Sequence, residues 1–172
     1  SGIKESVGYY KDDLQDSLWT YWYRDGSKWK EGNFKLNKKE GTWTVWFENG
    51  QKLQEGKYVA GKEEGSWKSW YETGITKDDG NFKSGKMDGS WKGWFTNNRP
   101  NYEGFYKDDL KNASWKYYFD SGKIKEEGSY KEGKKNKNWI FWTPQGMKDS
   151  EGNYKDERPA GFWTNYYPTG VK

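Results

Sequence analysis

The chain has 172 residues, 30 Lys and Arg against 26 Asp and Glu, a net charge of +4, and neither histidine nor cysteine. That removes Ser-His-Asp and Cys-His devices, thiol redox pairs, disulfides and conventional zinc sites. Leu, Ile, Val and Phe make only 21 residues, whereas Trp, Tyr and Phe make 35 beside 22 glycines, so any core must be built from rings spaced by glycine.

Taken in chain order, residues 1–7 form a partial unit, in which Ser1-Gly2-Ile3-Lys4 stand in the register of Ser121-Gly122-Lys123-Ile124. Seven copies with a constant 24-residue step follow, starting at Gly8, Gly32, Gly56, Gly80, Gly104, Gly128 and Gly152. The last stops within the pattern at Val171-Lys172. Both ends fall inside the repeat, so the expectation is one repeat domain over residues 1–172, cut from a longer protein.

Each copy predicts two strands. The first runs from about position 20 into position 4 of the next copy. Its alternation puts the glycine of position 1 and an aromatic at position 3 (Tyr10, Phe34, Tyr58, Phe82, Tyr106, Tyr130, Tyr154) on one face. The acid of position 24 (Glu31, Glu55, Asp79, Glu103, Glu127, Glu151) and the usual lysine of position 4 (Lys11, Lys35, Lys83, Lys107, Lys131, Lys155) lie on the other, as a solvated, self-neutralising ladder. A tight turn follows at pairs such as Asp12-Asp13, Leu36-Asn37, Ala60-Gly61, Ser84-Gly85 and Glu132-Gly133, which tolerate positive φ.

The second strand, exemplified by Thr42 to Phe47, holds the invariant tryptophan of position 12: Trp19, Trp43, Trp67, Trp91, Trp115, Trp139 and Trp163. It also holds a ring at position 15 and, in six of seven copies, another at position 16. Stretches such as Glu48-Asn49-Gly50 and Asp120-Ser121-Gly122 then suit a three-residue loop ending in a left-handed glycine. The position 3, 12 and 16 rings are expected to be structural, with position-1 glycines leaving slots beside them. The implied fold is all-β: an elongated antiparallel β-hairpin repeat array, a single-layer twisted meander advancing ~9.6 Å per copy and about 65 Å in all.

Positions 12 and 15 are an odd number of residues apart, so on a regular strand they face opposite sides. Trp22, Trp46, Trp70, Trp94, Tyr118, Trp142 and Tyr166 then form a ladder on the charged face, a candidate site for a protein partner or for a linear glycan stacked on the rings. A bulge turning these rings into the core, or lysine stems covering them, is the competing reading. Asp12-Asp13, Asp78-Asp79 and Asp108-Asp109 do not stand in calcium-loop spacing, and no metal or cofactor is expected. Arg24, Arg99 and Arg158 are the only arginines, which argues against nucleic acid.

Segments such as Glu55-Gly56-Lys57-Tyr58 followed by Gly65-Ser66-Trp67-Lys68-Ser69-Trp70-Tyr71-Glu72-Thr73-Gly74 resemble MORN-variant repeats of the bacterial YwqK antitoxin-like type, and the resemblance spans the whole chain. It implies a non-enzymatic protein-interaction or scaffold domain of antitoxin, immunity or cell-surface adhesion type. It leaves the compartment unassigned: the cell envelope or exterior is favoured, and the cytoplasm if the chain is antitoxin-like. A second resemblance, to choline-binding repeats of cell-wall proteins, rests on the alternation of glycine with aromatic pairs and goes with the alternative of a carbohydrate or cell-wall binding module. Membrane contact is not expected, because the ring at position 15 and the 24-residue step depart from ordinary MORN repeats.

Overall fold

The computed structural model describes residues 4–167, so the register expectations on Ser1-Gly2-Ile3 and Val171-Lys172 lie outside the described residues. The described residues contain strands and turns and no helix. The chain divides into two compact units, one ending at Lys86 and the other beginning at Met87.

The first unit is a run of hairpins made of β1 (Ser6–Lys11), β2 (Leu14–Trp22), β3 (Lys28–Lys35), β4 (Lys38–Trp46), β5 (Lys52–Val59), β6 (Lys62–Trp70) and β7 (Thr76–Lys83), each hydrogen-bonded to the next in sequence order. A two-residue strand, β8 (Lys86–Met87), lies where one unit gives way to the other. The second unit repeats the plan with β9 (Gly89–Trp94), β10 (Pro100–Lys107), β11 (Leu110–Tyr118), β12 (Ile124–Lys131), β13 (Lys134–Trp142), β14 (Lys148–Lys155) and β15 (Arg158–Asn165). Each unit is thus the antiparallel meander that the repeat predicts.

Both turn types follow from local chemistry. The two-residue turns have positive φ at both central residues, as in Leu36 (51°) and Asn37 (62°) or Ala60 (49°) and Gly61 (86°). That conformation twists with the flanking strands, which is why Asp, Asn and Gly recur there. At the other hairpin end, Gly50 N–H donates to the Phe47 carbonyl at 3.0 Å with φ 83°, and Asn98 takes the glycine's place in the fourth copy at φ 62°.

The ladders of β1 with β2, β3 with β4 and β12 with β13 are each interrupted by a bulge that strict alternation does not give. Between β3 and β4, Glu31 pairs with Thr44 and Asn33 with Glu40, so Gly32 alone faces Gly41, Thr42 and Trp43. The same three-against-one bulge stands between β1 and β2 and between β12 and β13. Position 10 is left-handed in every copy: Ser17, Gly41, Gly65, Gly89, Ala113, Lys137 and Gly161 all have positive φ. Lys137 is exposed at φ 62°, and Gly fits that backbone without strain. Lys137→Gly relieves about 1–2 kcal/mol of left-handed strain and gives back roughly 0.5–1 kcal/mol in unfolded-chain entropy. The expected result is a net stabilisation of about 0.5–1 kcal/mol, read as a higher urea midpoint.

The bulge seats the core tryptophan. A Cβ built on Gly32 would fall 2.3 Å from the Trp43 ring, and one on Gly128 would fall 2.2 Å from Trp139, so each ring lies flat on the glycine of its own copy. The indole N–H then donates to a carbonyl of that glycine's strand: Trp43 to Asn33 at 2.9 Å, Trp115 to Phe105 at 3.1 Å and Trp139 to Ser129 at 3.1 Å. Along the face, position-3 rings stand edge-on between successive tryptophans. Phe34, for example, lies 6.1 Å from Trp19 and 4.9 Å from Trp43, at 85° and 80°. Tyr130 does the same between Trp115 and Trp139. Each such pair contributes about 0.5–1.5 kcal/mol beyond its burial. An edge-to-face row of rings therefore serves as the core of each unit.

Candidate interaction faces

A single-layer sheet offers two faces, and the repeat puts different chemistry on each. On the ring face Trp19, Trp43, Trp67, Trp91, Trp115 and Trp139 are buried and Trp163 is half-buried, and further groups extend over them. The residue two beyond the tryptophan points the same way, so Tyr21, Tyr117 and Phe141 stack on Trp19, Trp115 and Trp139 at 28°, 23° and 28°. Lysines four residues before the tryptophan fold back over the rings. Lys39 Nζ lies 4.7 Å from the Trp43 centroid and 4.5 Å from that of Tyr58, Lys111 4.8 Å from Trp115, and Lys135 4.0 Å from Trp139. Burial pulls the ammonium groups of Lys39 and Lys111 below the ordinary lysine range. These two positions carried a sequence signal, period two and minus four from an invariant tryptophan, but position-specific chemistry in only some copies masked it.

The other face carries the acids and the ladder. Position 15 does face away from position 12, because its rings meet the position-24 acids. Tyr118 Oη donates to Glu103 Oε1 at 2.8 Å, and Tyr166 Oη donates to Glu151 Oε1. Lysines paired with those acids lie over ladder rings: Lys28 over Trp46 at 5.2 Å, Lys52 over Trp70 at 5.8 Å and Lys148 over Tyr166 at 5.8 Å. Trp22, Trp46, Trp70, Trp94, Tyr118, Trp142 and Tyr166 are all half-buried. Trp22 also borders an open cavity of about 500 Å³ with Lys4, Glu5, Tyr23 and Arg24. Trp70 borders one of about 550 Å³ with Phe47, Leu53 and Lys77.

The acids are neutralised on this face, but not by the lysines that alternation suggested. Glu31 pairs with Lys28 at 2.8 Å and accepts from Thr20 Oγ1 at 2.8 Å, Glu55 pairs with Lys52 at 2.6 Å, and Asp79 pairs with Lys68 at 3.2 Å. In the second unit Lys116 reaches Glu127 at 3.6 Å and Lys148 reaches Glu151 at 3.0 Å. The partners come from positions 13 and 21, whereas the position-4 lysines are exposed and make no ion pair among the described residues. Register explains this: Glu31 sits directly opposite Thr20 and Asp79 opposite Lys68 across the strand pair. Hydrogen bonds from Lys28 and Lys52 hold Glu31 and Glu55 below the usual carboxylate range. As exposed pairs they contribute about 0–1 kcal/mol each.

Several phenols resist ionisation. Burial, with Glu63 nearby, pushes Tyr58 up to about 12, and burial with the Glu103 hydrogen bond pushes Tyr118 to about 12. Burial raises Tyr117 further still, beside Tyr130. A folded-state value above the unfolded one means that the native chain holds protons the unfolded chain has lost, so these groups withdraw stability as pH rises. Between pH 10 and 12 the urea midpoint is expected to fall, and absorbance at 295 nm should show a class of tyrosines titrating near 12. Complete phenol titration near pH 10, before unfolding, would contradict these burial assignments.

Fold and faces together define an antiparallel β-hairpin repeat protein whose copies present side chains at a fixed interval. Residues 39–60, 63–84 and 111–132 match the family model described as MORN repeat variant. The matched stretches begin 24 and 48 residues apart, and each runs from position 8 of one copy to position 5 of the next, so they keep the register of the hairpins. No curated protein matches the chain.

Proposed function

We propose that the chain is a non-enzymatic interaction or scaffold domain that lays one face of its sheet against a protein partner, of the antitoxin, immunity or surface-adhesion kind that the YwqK-like resemblance implies. One observation carries this reading: each unit repeats rings at positions 12 and 15 and an ion-paired acid at position 24 at each 24-residue step on an open sheet. A spaced row of half-buried aromatics rimmed by charge is how protein interfaces are anchored. Lysines over Trp46, Trp70 and Tyr166 already occupy ring faces that a sugar would stack on, which favours a polypeptide over a glycan. The carbohydrate or cell-wall reading keeps one point in its favour: no cation stands over Trp22 or Trp142 among the described residues.

A photo-crosslinking phenylalanine analogue placed at Trp46 or Trp142 on the acidic face, and at Trp29 on the ring face, tests the proposal in the source cells. Discrete polypeptide adducts from one face are the expected result. Adducts only to glycan, with binding to cell-wall polysaccharide lost on Trp142→Ala, would replace it with the second reading.

A further inference from the structure

The two units solve one electrostatic problem differently. In the second unit, Lys135 lies over Trp139, Phe141 and Tyr154 at 4.0, 5.1 and 5.5 Å, and its Nζ pairs with Glu126 at 3.0 Å, where both side chains are mostly buried. A lysine held on ring faces and out of water thus receives a carboxylate from position 23 of the preceding copy.

The first unit has the same grid. Phe34 opposes Lys39 as Tyr130 opposes Lys135, and Lys30 opposes Val45 as Glu126 opposes Phe141. Lys39 lies over Trp43 and Tyr58, as Lys135 lies over Trp139 and Tyr154. At the carboxylate's place stands Lys30, whose Nζ is 4.4 Å from the Tyr21 centroid and 4.1 Å from that of Trp29. Lys30 makes no ion pair among the described residues. Its charge adds to burial in lowering the Lys39 ammonium, and only Glu63, on the far side against Tyr58, opposes that. Trp29 lies outside the repeat's aromatic columns and is 39% exposed, so the cluster opens to solvent. Two ammonium groups on rings, with no acid between them, form a socket for a negative charge.

We propose that Lys30 and Lys39, cradled by Tyr21, Trp29, Trp43 and Tyr58, bind a carboxylate of an acidic protein partner, which gives Lys39 the counter-charge that Glu126 gives Lys135. The inference rests on the protein-interaction reading and names the partner's chemistry. A carboxylate is chosen over other anions because that is the group the fold itself pairs with such a ring-held lysine.

The test is calorimetric titration of the full chain with a blocked octaglutamate peptide at low salt, beside inorganic phosphate and anionic phosphatidylserine vesicles. Wild type is expected to bind the peptide in preference to both. Lys30→Glu installs the acid of the second unit, so it should weaken the peptide at least tenfold and raise the melting temperature as the new carboxylate pairs with Lys39. Lys35→Glu makes the same charge change at an exposed site on the other face and should weaken the peptide no more than about threefold. Equal loss in the two variants would show diffuse attraction and overturn the site. So would absence of peptide binding by wild type, tighter Lys30-dependent binding of phosphate or vesicles, or a lower melting temperature for Lys30→Glu. Polypeptide crosslinks without octaglutamate binding would sink this site and leave the interaction reading standing, whereas adducts to glycan alone would remove that reading.

Discussion

Trp139→Ala is expected to destabilise the chain by about 4 kcal/mol, within the ~3–5 kcal/mol found for truncating buried tryptophans. Trp139 is 0% exposed, the most enclosed side chain described. Tyr130 and Tyr154 stand edge-on to it at 5.1 and 6.3 Å, Phe141 stacks at 6.2 Å, and Lys135 lies 4.0 Å from its centroid. Truncation removes all of these contacts and leaves the Ser129 carbonyl without its indole donor. A sheet one layer thick cannot refill the gap from behind, so little of the loss is recovered by collapse. Phe162 is 98% exposed, and Phe162→Ala serves as the control, with an expected change within about 0.5 kcal/mol. Urea unfolding of the two variants checks both, and a Trp139→Ala loss below about 1.5 kcal/mol would show that the ring row is not the core.

Gly128→Ala should be nearly as severe, although it adds only a methyl group. The new Cβ would lie 2.2 Å from the Trp139 ring, and the ring is hemmed in by Tyr130 and Tyr154. Overpacking a rigid site costs about 1–3 kcal/mol or more, and lifting the indole also stretches its bond to Ser129, so about 3 kcal/mol is expected. Gly65→Ala provides the contrast. Nothing lies within 4 Å of a Cβ there, and the backbone at φ 71° is the only obstacle, so the loss should stay near ~1 kcal/mol. A double-mutant cycle gives the sharper test. With Trp139→Leu in place, Gly128→Ala should lose most of its effect, and strict additivity would show that the glycine acts through something other than the ring.

Glycine and tryptophan at a fixed interval made most of the architecture legible. A repeat without insertion placed every hairpin, and residues that accept positive φ located turns that are left-handed at both central positions, Asp12-Asp13 among them. The odd spacing between the two ring columns put them on opposite faces, where Tyr118 meets Glu103 and Trp115 lies on Gly104. What escaped was the bulge. Position 10 is Gly in four copies but Ser17, Ala113 and Lys137 in the others, and a left-handed residue inside a strand cannot be told from a turn glycine by type alone. The acids also meet the residues directly opposite them on the preceding strand, Thr20, Lys68 and Lys116, and not Lys35 or Lys107 further along their own strand, which same-face alternation alone would choose. The cation cluster at Lys30 and Lys39 was unreadable for a different reason: no one copy contains it, since the two lysines belong to successive copies brought side by side.

The tryptophan, the glycine beneath it and the carbonyl that accepts its N–H all come from a single copy, as Trp43, Gly32 and Asn33 do. Duplicating or deleting a whole copy therefore leaves every such trio intact and changes only which neighbours meet. A gene encoding this chain could grow or shrink by unequal recombination without inventing a new interior, while single residues at the margins, such as Lys30 or Glu126, diversify what each length presents.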